Sequence, residues 1–398
     1  MTRCLLPPAL LAAALLVTAA ATSFAQVTRP DSARADTTRP FVPGGMYDKP
    51  FQSRLLGRTA IGGYAEAHAR YERVDGVRER AGFEAKRFNL FTATTVSDFV
   101  RLGAELEFEE GGHEIKVEYA AIDLRFSRAL ALRGGMLLSP LGRFNLSHDS
   151  PLNEFTDRPL VSTDLLGVAL SEPGFGVLGS FSLGRSARAT YELYATNGFN
   201  SGLIDNSPEG TRIPLGRGNF DDENGSPALV GRLTFSPSHL HELGVSMHRG
   251  AYNVFSSGGT DIDERRDLLI TVLDAETALA GIDVRGEAAF ATIDVPESLE
   301  GIYAARQRGF FAEAVRPFGR GWVRTMPTSA FAVKVRADYV DFDTQLVGQS
   351  MAQVTGGVNF RPTDDSVLKL DFVRGRGRDR FNNLAEHAFL LFSIASYF

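Results

Sequence analysis

One stretch of the chain gathers titratable side chains of both signs within a short span. Arg143, His148, Asp149, Glu154, Asp157, Arg158 and Asp164 all fall between residues 139 and 174. Nothing in their order supplies a nucleophile with its base, and no such motif accompanies the 7 His of the chain. Mixed charges carried on one loop suit another chemistry: fixed charges at a narrow place attract or repel ions that pass it. A second set of charges recurs at every other position of extended runs. Arg70, Lys86, Arg101, Lys116, Arg125, Arg133, Arg188, Lys334 and Arg336 belong to it, with Arg232, Arg285 and Lys369. Acids share the same faces in comparable number, among them Glu66, Glu105, Glu107, Glu118, Asp123, Glu192, Asp338 and Asp371. Residues two apart on a strand point the same way, so these charges predict one polar surface of mixed sign.

The remaining motifs are weak. Gly174, Gly176 and Gly179 match a dinucleotide fingerprint by letters, yet they lie in a strand with no helix after it. Residues 221–223 and 261–264 are acidic enough to hold a cation, but solvated loop acids read the same way. No cofactor or metal site is expected. The run Arg374, Arg376, Arg378 and Arg380 suits the phosphates of lipopolysaccharide.

The elements that must position these residues are strands, because from Thr59 to the C-terminus the apolar period is two. In the clearest run Val100, Leu102, Ala104, Leu106 and Phe108 alternate with Arg101, Gly103, Glu105, Glu107 and Glu109. About sixteen such runs follow one another. Tight turns such as Ser97-Asp98 and Ser127-Arg128 join them at one end, with one longer exception at residues 317–328. Nearly every connection at the other end is longer, including residues 139–174 and 197–227. A soluble sandwich gives no reason for that asymmetry, whereas a transmembrane β-barrel requires it. In lipid every backbone amide needs a partner, so the sheet must close; the apolar set then meets lipid and the charged set lines a lumen. Tyr64, Tyr71, Phe126 and Tyr339 suit the aromatic girdles of such a barrel.

The N-terminus agrees with that destination. Arg3, an apolar run and small residues ending at Ala25 form a secretory signal peptide over residues 1–25, too short to span a bilayer as a helix. Residues 26–58, rich in Thr, Arg, Pro and Asp, read as a periplasmic leader without a domain of its own. The single Cys, Cys4, lies in the signal, so the mature chain is expected to hold no disulfide. From Thr59 onward 35 Lys and Arg stand against 45 Asp and Glu, a formal −10, which argues against nucleic acid as a partner. The barrel is expected over residues 59–398. It ends in alternating Ala388, Leu390, Phe392, Ile394, Ser396 and Phe398, and a terminal aromatic of this kind resembles the signal read by the barrel assembly machinery.

Residues 61–203 also resemble a known family. Gly62-Gly63-Tyr64-Ala65-Glu66-Ala67-His68 resembles its first-strand Gly-Tyr-x-Glu-x-His pattern, and residues 121–126 its Tyr-Val-Asp-Tyr-Arg-Phe strand. The most specific stretch is residues 133–161, with Gly135-Met136-Leu137-Leu138-Ser139-Pro140-Leu141-Gly142, Asn145, His148, Pro151 and Arg158-Pro159-Leu160-Val161; Tyr194, Asn197 and Gly198 follow. The chain thus resembles the phosphate-selective porins of the porin O and porin P type. The resemblance implies a 16-stranded, trimeric diffusion porin of the bacterial outer membrane whose third long loop, here residues 139–174, folds into the channel. Anions such as phosphate would be among its solutes. The mixed wall and the −10 balance predict at most a mild anion preference. The chain reads as a non-enzymatic, all-β pore for small hydrophilic solutes, surrounded by outer-membrane lipid and lipopolysaccharide; the competing readings are a barrel enzyme and a plugged structural or adhesin barrel.

Overall fold

The computed structural model describes residues 45–398 apart from 47, 52, 57, 185 and 206–209. Sixteen long strands follow in order: β1 (Thr59–Val74), β2 (Val77–Thr95), β3 (Val100–Glu109), β4 (Glu114–Arg125), β5 (Ala131–Leu138), β6 (Ser171–Leu183), β7 (Ala187–Thr196) and β8 (Ala228–Ser238). The second half comprises β9 (His241–Ala251), β10 (Asp267–Leu279), β11 (Ile282–Ile293), β12 (Arg306–Phe318), β13 (Ala330–Asp341), β14 (Ser350–Thr363), β15 (Ser366–Arg378) and β16 (Leu384–Tyr397). Each pairs antiparallel with its neighbours in sequence. The ring closes where β16 meets β1, from His387 opposite Val74 to Tyr397 opposite Tyr64. Closure leaves no edge strand to present unpaired amides to lipid. No helix among the described residues is long and apolar enough to cross a membrane.

The faces are inverted relative to a soluble protein. Leu193, Leu233, Val245, Phe290, Val335, Phe372 and Leu390 stand exposed on the outside, while Glu105, Asp123, Arg232, Lys334, Arg336 and Lys369 are buried within. An exposed apolar band around a closed sheet is the surface that lipid stabilises. At the seam Phe398 stacks on Phe88, 5.6 Å between ring centres, and its amide donates to the Gly63 carbonyl at 3.0 Å. A Cβ at Gly63 would lie 2.4 Å from the Phe398 ring, so only glycine fits there.

Four expectations need correction. Strand β2 starts at Val77, not near Phe83, because Asp75 and Gly76 adopt positive φ and close a tight turn on the rim that carries the long loops. Tyr64 belongs to no girdle: it is wholly buried in the lumen, edge-on to Tyr397 at 5.9 Å. Met46, Lys49 and Phe51, from the stretch read as a leader, lie against the inner wall, where Phe51 meets Phe91 edge-on at 5.4 Å and Met46 packs beside Tyr119 and Leu137. The lumen is not charged all round either. On β10 and β11 the inward residues Leu268, Ile270, Val272, Ala289, Ala291 and Ile293 are apolar, and they form one core with Leu160, Val161, Leu165 and Leu166 and with Phe199, Leu203 and Ile213 of the 197–227 connection. Apolar side chains can face a lumen when loops fold in to cover them.

Candidate pore and its constriction

The connection between β5 and β6 carries the candidate constriction. It turns inward at a short helix, Arg143–Leu146, and returns through a wide helical turn, Val161–Leu166. Between these it crosses the lumen and is fastened at both sides. On the far wall Arg143 bridges Glu242 (2.8 Å) and Glu276 (2.5 Å), the Gly142 amide donates to Ser246 (2.9 Å), and the Phe144 amide donates to Glu287. Near β4, His148 Nε2 lies 2.9 Å from Glu118 while its Nδ1 faces the Asn145 carbonyl at 2.8 Å. Ser150 donates to Glu66 on β1 (2.6 Å), and Tyr397 donates to Asp149 (2.9 Å).

The middle of the loop is held by β13 to β16. Glu154 receives Arg361 (3.0 Å) and the Asn359 amide (2.6 Å), and Lys334 donates to its carbonyl. The Thr156 amide donates to Asp371 (2.8 Å), and Arg336 donates to the Asp157 carbonyl (2.9 Å). Phe155 presents its ring to both cations, with Lys334 Nζ 4.8 Å and the Arg336 guanidinium 4.7 Å from its centre. Asp157 in turn takes Arg70 in a two-bond clasp at 2.6 and 3.0 Å. Burial would raise the Glu154 carboxyl, but Arg361, Arg285 and Lys334 outweigh it and hold the group below its ordinary value.

One fastening comes from a residue that sequence reasoning missed. Lys49 is buried inside the barrel, 2.5 Å from Glu105 and 2.7 Å from Asp149, with its ammonium 5.0 Å from the Phe91 ring. Burial alone would push the ammonium down; Asp149 and Glu105 outweigh it and hold the group well above its ordinary value. Nothing in the polar composition of residues 26–58 signals this, because the partners of Lys49 lie 56 and 100 positions away.

The other wall residues divide by their partners. Arg133 clasps Asp123 at 2.7 and 2.9 Å and reaches the Tyr194 hydroxyl at 3.2 Å; Lys116, half exposed at the long-loop rim, pairs with Glu109 and Glu114. Arg101 sits opposite Asp123 in the ladder, and Arg125 and Arg188 take inward positions toward the short-turn rim. Lys86 is the extra residue of a bulge: Glu66 pairs with Arg87 and Ala67 with Ala85. The bulge turns both Lys86 and Arg87 toward the lumen, and strict alternation misses Arg87 for that reason. Arg87 answers Glu66 (3.0 Å), Glu107 (3.1 Å) and Glu109 (2.9 Å). A second bulge, at Glu118, buries both Glu118 and Tyr119.

Above the loop a cavity of about 1140 Å³ opens between residues 156–164 and the walls of β1, β2 and β14 to β16. Eight Arg or Lys line it against five Asp or Glu, a surplus of three positive charges. Arg70, Lys86, Arg87, Asp157, Arg158 and Asp164 all reach it, whereas Arg143, His148, Asp149 and Glu154 do not. Burial pushes the Asp164 carboxyl up to about 6. The arginine run divides: Arg378 and Arg380 reach this cavity, while Arg374 pairs with Glu386 at 2.6 Å on the outer face.

No family model matches the chain. A protein of Aquifex aeolicus (strain VF5), described as uncharacterized, is 25% identical over 355 residues, 81% of this chain and 77% of that one. Three solved structures share the architecture at low identity. The anion-selective porin from Comamonas acidovorans aligns with a TM-score of 0.56 at 12% identity, over 85% of this chain and 99% of that chain. Salmonella typhi OmpF, solved with daunomycin, gives 0.54 at 11%, over 85% and 98%. The outer membrane channel DcaP of Acinetobacter baumannii gives 0.53 at 13%, over 87% and 99%. The fold is therefore that of the outer-membrane porins, and the chain is a 16-stranded barrel of the bacterial outer membrane.

Proposed function

We propose that this chain is a porin: a passive, water-filled channel for small hydrophilic solutes, narrowed by residues 139–170. The observation that carries the reading is the loop strung across the lumen beneath a cavity with a positive surplus. A fixed charge at a constriction acts at short range where bulk screening is weak, so that surplus favours anions. The mixed signs lower in the lumen, where Arg285 pairs with Glu313 at 2.7 Å and Arg232 with Asp274 at 2.5 Å, keep the preference mild. Phosphate selectivity of the porin O and porin P kind would need a longer cationic track than these compensated pairs offer. The chain is non-enzymatic within this reading. Within this reading the barrel is a homotrimer, Arg374 and Arg376 meet lipopolysaccharide phosphates, and Phe398 is the assembly signal, whose deletion should lower the amount of barrel reaching the outer membrane.

Planar-bilayer conductance with reversal potentials in a salt gradient tests the proposal. Stable ohmic channels with a small anion-directed reversal are expected; a membrane left insulating by folded protein would overturn it. The apolar core on β10 and β11 favours a second reading, a plugged barrel. Swelling of liposomes in small sugars separates the two, since a plugged barrel admits none.

A further inference from the structure

One connection on the short-turn rim departs from the rest. Between β12 and β13 it takes residues 319–329, where the other turns of that rim take five residues or fewer. The loop is tied to itself: the Gly321 amide donates to the Ser329 carbonyl (2.8 Å), Met326 to Val323 (2.8 Å) and Ser329 to Met326 (3.0 Å). Trp322, the only Trp of the chain, lies across Gly319, where φ is +63° and a Cβ would come within 2.8 Å of the indole. Phe318, Phe331 and Phe360 stand opposite one another on β12, β13 and β14, on the face turned away from the buried Lys334 and Arg336 and so toward lipid. The Phe331 ring centre is 5.9 Å from that of Phe318 and 4.8 Å from that of Phe360, and Trp322, 70% exposed, meets Phe318 at 5.7 Å. Rings that end an outward apolar band sit at headgroup depth.

The charges around this aromatic row are of one sign. Residues 314–337 contain no Asp or Glu. Arg316, Arg320 and Arg324 are exposed, and their guanidinium groups have no ion-pair or hydrogen-bond partner among the described residues. Arg316 stands on the outward face opposite Val333, two positions further from the rim than Phe318. A cation turned toward lipid is costly unless an anion meets it. A phosphodiester offers two oxygens that match the paired donors of a guanidinium, and the acyl chains attached to it cover apolar rings below.

We propose that this patch binds an anionic glycerophospholipid of the leaflet on the short-turn side, phosphatidylglycerol in kind. Its phosphate lies among Arg316, Arg320 and Arg324, and an acyl chain runs along Phe318, Phe331 and Phe360. The inference goes beyond the channel reading and does not depend on it. A zwitterionic phospholipid carries the same phosphate together with its own cation, which three arginines without a neighbouring acid repel.

Trp322 makes the test specific to this place, because no other Trp contributes emission. The full barrel is reconstituted in vesicles that mix phosphatidylglycerol with phosphatidylcholine, with bromine on the acyl chains of one lipid and then of the other. Bromine quenches indole emission on contact, so the two quenching curves give the relative occupancy of the lipids beside Trp322. Phosphatidylglycerol is expected to be favoured about fivefold. The preference should fall below about twofold in the Arg316→Gln, Arg320→Gln, Arg324→Gln triple variant, and likewise in the wild type at about 1 M salt. Heat-modifiability on gels shows that the variant has folded. A wild-type preference below about twofold would overturn the inference, as would a folded triple variant that keeps the full preference. Emission that neither brominated lipid quenches would overturn it too, since the loop would then stand in water or beneath another copy of the chain. Bilayers left insulating while the lipid preference persists would defeat the porin reading and leave this site standing.

Discussion

Two arcs of the inner wall are built on opposite principles. Along β1 to β4 and β13 to β16 the lumen is lined by charges, and the loop is held there by ion pairs and hydrogen bonds such as Asp157 to Arg70 and Thr156 to Asp371. Along β10 and β11, toward the long-loop rim, the wall is apolar and the same connection is held by apolar packing, Val161, Leu165 and Leu166 sharing one core with Ile270 and Ala291. The charged arc leaves a cavity beside it; the apolar arc is filled. A segment that spans both arcs gains direction from the first, because hydrogen bonds fix geometry, and cohesion from the second, because apolar contact is indifferent to orientation.

Removing the charged arc's fastenings should have the largest effect. Deleting residues 145–157 takes away the contacts to Glu66, Glu118, Arg361 and Arg70 while leaving the apolar turn in place. Single-channel conductance should rise roughly twofold or more and ion preference should weaken, since the wider barrel wall becomes the narrowest section. Unchanged conductance would locate the constriction elsewhere. Next in size is Ile270→Asp, which buries an unpaired carboxylate in the apolar arc at a cost of several kcal/mol, about 3 or more. Noisy channels of variable conductance are expected from a loosened loop, with the barrel itself still heat-modifiable; quiet wild-type channels would show that packing there holds nothing.

Lys49→Ala sharpens the comparison from the N-terminal side. It leaves Glu105 and Asp149 without their common cation, a penalty of about 3–5 kcal/mol for a buried pair broken on one side. The expected outcome is a reversal potential shifted toward cations and restored by Lys49→Arg; no shift in either variant would make Lys49 a bystander. The smallest effect is a titration. Asp164 ionises at about 6, so acidifying from pH 7.5 to 5 removes one negative charge from a cavity in which Arg212, Asp157 and Asp338 act on it. Anion preference should therefore grow on acidification, and Asp164→Asn should hold the low-pH value throughout. A pH step of full size in that variant would assign the titration to another group.

The alternation of residues, taken with short turns at one end and long connections at the other, determined that this chain is a closed barrel, and away from the bulges it determined which residues face in, because a strand has only two sides and lipid permits only one kind on the outside. Residues 100–109 show the two-sided pattern by themselves, and the connections along the rest of the chain turn it into a barrel. The placement of a long charged connection after β5 was legible for a similar reason: its polar residues and turn-formers break the period. Three features were not. The bulges at Lys86 and Glu118 shift the alternation by one residue, and a shift depends on the partner strand as much as on the local sequence. Lys49 finds Glu105 and Asp149 only when the barrel has brought them together. The apolar inner face of β10 and β11 looks, in sequence, like a strand apolar on both sides, and only the loops folded against it decide that its inner side is a core and not a wall of water.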